Sequence, residues 1–145
     1  MKPMRALVVV AVALATGGCL NTGQNDPRSS PAEQKMVDQA VGAAEGLLEQ
    51  STPAGYRDAP VASGHNSSHD KGQEVSGSVN GRGLLQVACA GTGSVTVTIP
   101  RQNLSELVGC GAEPREFPFH KSVTALVVGQ RDSAGAYAWR ILPAG

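Results

Sequence analysis

Four segments of the C-terminal half, GLLQVACA, GSVTVTIP, SVTALVVG and AYAWRILP, place apolar side chains at every second position. A period of two has one common use, because only an extended strand turns it into one buried and one solvated face. In the first segment Leu85, Val87 and Cys89 share a face; in the second Val95, Val97 and Ile99 point inward while Thr96 and Thr98 point out. Gly91-Thr92-Gly93 is expected to join these two strands as a tight turn, and Ser133-Ala134-Gly135 precedes the last strand. QEVSGSV and the stretch around REFPF are further strand candidates. Short strands with turns between them predict a small antiparallel β-sandwich or barrel over residues 73–145. An immunoglobulin domain is disfavoured, because its tryptophan lies between its two cysteines, whereas Trp139 follows both Cys89 and Cys110.

Upstream the period changes. Met36, Val37, Ala40, Val41, Ala44, Leu47 and Leu48 recur at helical spacing, so residues 30–52 are expected to form one N-terminal amphipathic helix. Ser30 is a good N-cap, Pro31 suits the first helical position, and Glu33 completes a capping box. Gly42 and Gly46 each weaken the helix by about 1 kcal/mol relative to alanine, so it depends on docking. Its stripe is expected to cover the protein's own sheet, the alternative being a surface for a partner. Residues 53–72 are rich in Gly, Ser, Asn and Pro and read as a long loop.

The N-terminus addresses the chain. Lys2 and Arg5 precede ten apolar residues, ALVVVAVALA, too few to span a bilayer, which takes about 20. Thr16-Gly17-Gly18-Cys19 follows and resembles the bacterial lipobox, with Thr16 standing where that motif usually has an aliphatic residue. The resemblance implies a signal peptide over residues 1–18, cleavage after Gly18, and diacylglyceration and acylation of Cys19. A second reading is an A-x-A site, Ala13-Leu14-Ala15, whose cleavage would release a soluble protein; a third is an uncleaved anchor. Two acyl chains hold a protein in the leaflet where one binds marginally. Residues 19–29 then read as the lipidated cysteine and a flexible tether, whose ten residues after Cys19 reach at most about 35 Å. The expected location is the extracytoplasmic face of the cell membrane. Three cysteines are an odd number for an exported chain; lipid on Cys19 leaves Cys89 and Cys110 to pair as a disulfide.

QVACAGTGSVTVTI, the second cysteine in GCG, and the closing AWRILP resemble small actinobacterial secreted lipoproteins that share a Cys-Ala-Gly-x-Gly strand turn and a terminal Trp-Arg strand. The similarity runs over residues 30–143 and implies an exported, disulfide-closed β-domain. That group offers no catalytic residue to carry over.

All twelve acidic residues, but only ten of the twelve Lys and Arg, follow residue 18, giving a formal charge of −2 from Cys19 onward and no basic footprint for nucleic acid. Ser68-His69-Asp70-Lys71 has the spacing S-x-x-K without its S-D-N and K-T-G partners; G-x-S-x-G is absent, and His120 near Ser122 has no orienting group in its strand. His65, His69 and Asp70 offer three metal-ligand types, but in a Ser, Gly and Asn context that reads as a solvated loop. No catalytic, cofactor or metal residue is therefore assigned. Tyr137 and Trp139 share one strand face in a chain with five aromatic residues. Exposed, they would stack sugars; buried with Ile141, they would centre the core, the reading preferred for a small domain, with Arg140 then facing solvent. The function expected is a lipid-anchored binding or accessory protein acting on an envelope protein, with a small-ligand or glycan-binding module as the alternative and an enzyme with an unrecognised site behind it. An exposed helix stripe would favour the first, exposed aromatics the second, a polar cleft with perturbed carboxylates the third.

Overall fold

A computed structural model describes residues 30–68 and 72–145; residues 1–29, where the signal peptide, lipidated Cys19 and tether are expected, together with His69, Asp70 and Lys71, lie outside the described residues. The domain is mainly antiparallel β with a single helix. Helix α1, Pro31–Glu49, starts as its sequence dictates: the Ser30 hydroxyl accepts from the Glu33 N–H at 3.3 Å, and the Glu33 carboxylate accepts from the Ser30 N–H at 2.8 Å. Strands follow as β1 (Ala62–Ser67), β2 (Gln73–Thr92), β3 (Ser94–Ile99), β4 (Leu104–Gly109), β5 (Arg115–Gly129) and β6 (Ala134–Pro143). They form one sheet in the order β1-β6-β2-β5-β3-β4, every neighbour antiparallel, with β1 and β4 at its edges.

The sheet curls into a barrel-like shell. Val75 and Leu85 of β2, Val97 of β3, Val108 of β4, Phe117 of β5 and Tyr137 of β6 are buried in one cluster, which a flat sheet of six strands would keep apart. The disulfide makes the same point. Cys89 on β2 and Cys110 just past β4 are separated by three strand spacings, about 14 Å across a flat sheet, yet their Cα atoms stand 4.3 Å apart. Cys110 N donates to Gly93 O and Gly111 N to Cys89 O, both at 2.9 Å, so backbone bonds close the shell beside the sulfur bridge. The bend lies within β2, whose pairing with β5 breaks between Ser78 and Arg82, where Gly81 takes φ +94°.

Alternation on the central strands is as the period-two pattern predicts, with Leu85, Val87, Cys89, Val95, Val97 and Ile99 all inside. The eight residues 83–90 of β2 are buried on both faces, because α1 covers the outer one. There Ala44 and Leu48 of the helix rest on Ala88, Ala90 and Ala138, small side chains that let the helix approach closely. Only this C-terminal half of the stripe docks. Met36 is 61% exposed.

Two expectations are corrected. Residues 62–67 form edge strand β1 inside the segment read as a loop; ASGHNS lacks β-branched alternation, and β6 recruits it through six register pairs from Ala62↔Ile141 to Ser67↔Ala136. Gly93 does link β2 to β3, but they are not a paired hairpin, since β5 lies between them. The weaker candidates QEVSGSV and REFPF are the first parts of the long strands β2 and β5.

Gly91 faces Gly135 across β2 and β6 with φ +106°, and a Cβ there would stand 2.1 Å from the Ala134 carbonyl oxygen. Gly91→Ala should therefore cost about 3 kcal/mol, from backbone displacement and a left-handed conformation together. A urea midpoint equal to wild type would contradict this close approach.

Candidate functional site: the groove beside the open edge strand

Strand β6 sends Tyr137, Trp139 and Ile141 into the core and turns Ala138 and Arg140 to the outer face. That face is not solvent at Arg140. Contrary to the expectation from alternation, Arg140 is 5% exposed, because the last turn of α1 and the chain leaving it pass over it. A helix C-terminus presents unpaired carbonyls and the negative end of the helix dipole, a setting that a buried guanidinium satisfies. Arg140 Nε donates to Gln86 Oε1 at 2.8 Å and Nη1 to Asp58 Oδ1 at 3.1 Å, while Nη2 donates to the Leu48 carbonyl and, at 3.2 Å, to Thr52 Oγ1. Gln86, fully buried and paired across the strands with Arg140, donates to Ser51 O at 2.9 Å and Glu116 Oε1 at 3.2 Å. Thr52 Oγ1 donates to Asp58 Oδ1 at 2.8 Å. This network fixes the end of the helix against the sheet.

Next to it, between α1 and β1, runs an open groove of about 740 Å³. Ala138 and Arg140 of β6 lie at its base, Glu45 and Glu49 line it from α1, Asp58 from the chain between α1 and β1, and Ser63 and His65 from β1. His65 Nδ1 and Glu45 Oε1 are 2.9 Å apart, with both side chains about half exposed, at 53% and 49%. A pair so solvated is worth less than about 1 kcal/mol, so His65→Ala should leave the melting temperature within a few degrees of wild type. Ser63 lies two residues from His65, but no hydrogen bond joins hydroxyl to imidazole among the described residues. The contact between nucleophile and base that a Ser-His-acid triad rests on is missing.

The other residues singled out in the sequence are scattered. Tyr137 and Trp139 are 1% and 8% exposed and sit in the core with Ile141, so they form no stacking platform. Tyr137 Oη donates to Gln73 Oε1 at 3.3 Å, whereas the buried Trp139 Nε1, against Gly64 of β1, has no partner. Ser68 of the S-x-x-K spacing is buried. His120 and Ser122 line a smaller depression of about 210 Å³ on β5, away from the groove. Cys89 and Cys110 are joined as a disulfide. Among the described residues no three His, Cys, Asp or Glu side chains are grouped to hold a metal ion. No protein-family model, curated protein or solved structure matches the chain.

The groove is not legible in the sequence, because its parts lie far apart in the chain and the residues of β1 lack a strand pattern. The one local signal is a pair of polar residues, Gln86 and Arg140, inside the stretches 83–90 of β2 and 136–142 of β6, which are otherwise apolar or aromatic on both faces.

Proposed function

We propose that the protein is a lipid-anchored accessory protein that holds a protein partner at the outer face of the cytoplasmic membrane. The observation that carries this reading is the groove: an accessible channel lined by Glu45, Glu49, Asp58, Ser63 and His65 beside an edge strand, on a domain with four of its five aromatic residues in the core and Tyr56 half-buried. A glycan binder would need those rings at the surface. A Ser-His hydrolase would need its nucleophile in contact with its base, and Ser63 and His65 lack that contact. The uncovered part of the helix stripe around Met36 adds apolar surface near the start of α1.

Two measurements test the proposal. Wild type should partition into detergent and carry an acylated N-terminal Cys19, whereas Cys19→Ala should remain uncleaved or be released; unmodified protein beginning at Thr16 would contradict the anchor. Mature protein immobilised in detergent should retain a defined envelope protein, lose it in Glu49→Lys, and keep it in Thr98→Lys on the far outer face of the sheet. Retention indifferent to Glu49→Lys would contradict the groove as the binding face.

A further inference from the structure

We infer that the edge of β1 beside the groove, which no other strand pairs among the described residues, takes an extended, basic peptide segment as a seventh strand. The inference rests on the reading of the chain as a binding protein and names the class of its partner.

The backbone of β1 is directed for such pairing. Ser68 N donates to Gly135 O at 3.0 Å, which makes Ser67↔Ala136 a pair without mutual hydrogen bonds. By alternation Gly64↔Trp139 and Asn66↔Tyr137 are the bonded pairs, and Ser63 and His65 turn their N–H and C=O away from β6 toward the open edge. At Ser67 the outward N–H is capped by Asn66 Oδ1 at 2.9 Å, so the template consists of Ser63 and His65. Edge strands in monomeric proteins are usually guarded by Lys, Pro or a bulge, and ASGHNS contains neither residue and pairs with β6 in unbroken register. Main-chain pairing gives affinity to strand addition, and side-chain pockets give it selectivity.

Charge selects the occupant. Glu45, Glu49 and Asp58 line the groove, and the one Lys or Arg lining it among the described residues, Arg140, is buried and engaged with Gln86, the helix end and Asp58. The rim of the groove is therefore acidic toward a strand lying along β1. Alternate side chains of an added strand share the outer face with Ser63 and His65, so Lys or Arg at every second position would lie toward the carboxylates of α1. A second copy of this chain fits worse, because pairing two β1 edges brings two acidic walls together.

The test uses the full mature chain in detergent and the peptide acetyl-(Lys-Thr)4-amide, followed by fluorescence anisotropy and amide hydrogen exchange. The peptide should bind, slow the exchange of the Ser63 and His65 amides, bind at least five-fold more weakly to Glu49→Lys, and weaken with added salt. The same peptide with every backbone amide methylated should bind at least ten-fold more weakly, and acetyl-(Glu-Thr)4-amide should not bind. Circular dichroism melting of Glu49→Lys establishes that the variant is folded. No binding of the basic peptide, equal binding of the methylated one, or unchanged affinity in Glu49→Lys overturns strand addition. If the peptide fails while the groove still retains an envelope protein, the binding function stands and only the class of its partner is wrong.

Discussion

Replacing Arg140 by alanine should lower the unfolding free energy by about 4 kcal/mol, the range expected when one partner of a buried, hydrogen-bonded charge network is removed. The loss falls on Gln86 and the helix end. Without the guanidinium, the fully buried Gln86 Oε1 loses its donor and the Leu48 carbonyl keeps the Ser51 N–H, at 3.1 Å. Asp58 contributes little to this figure, since its side chain is 66% exposed. Arg140→Lys keeps the charge but cannot donate in a fork to Gln86, Leu48 and Thr52 at once, so it should recover less than half of the loss. Urea unfolding measures both variants. A change below about 1 kcal/mol in Arg140→Ala would mean that the helix end is not held by this network.

Loss of the Cys89–Cys110 disulfide should cost about 3 kcal/mol by the chain-entropy model, for two cysteines 21 positions apart. In this fold the bridge also ties β2 to the segment after β4, the place where the curled sheet closes on itself. Thiol alkylation of unreduced, denatured protein should label neither Cys89 nor Cys110, and the Cys89→Ala, Cys110→Ala double variant should melt more than ten degrees lower. Labelling of both cysteines in wild type would contradict the bridge. An unchanged melting point would leave the closure to the backbone bonds at Gly93 and Gly111 alone.

The legible parts of this fold were those that local rules decide. Ser30, Pro31 and Glu33 fix where α1 begins, and the period of two at Leu85, Val87 and Cys89 fixes which face of β2 is inside. What was hidden depends on partners distant in sequence. ASGHNS becomes a strand because β6 needs a neighbour, and its Gly64 leaves room for the Trp139 ring, whose atoms would stand 2.9 Å from a Cβ there. Arg140 alternates outward as its position demands, but outward at that point means beneath the end of α1. Gly91-Thr92-Gly93 has the composition of a hairpin turn, yet β2 and β3 diverge after it, and nothing local tells a turn between paired strands from one between the two sides of a shell. The candidate site inherits this difficulty, as α1, the chain around Asp58, β1 and β6 all contribute to it.

Photo-crosslinking in intact cells tests the central claim most directly, with a benzophenone side chain placed at Ser63 in the groove or at Thr98 on the outer face of β3. Crosslinking at Ser63 should trap one defined envelope protein and fall sharply when Glu49→Lys is added, whereas Thr98 should trap none. No adduct from Ser63, or the same adducts from both positions, would contradict a groove that binds a protein partner.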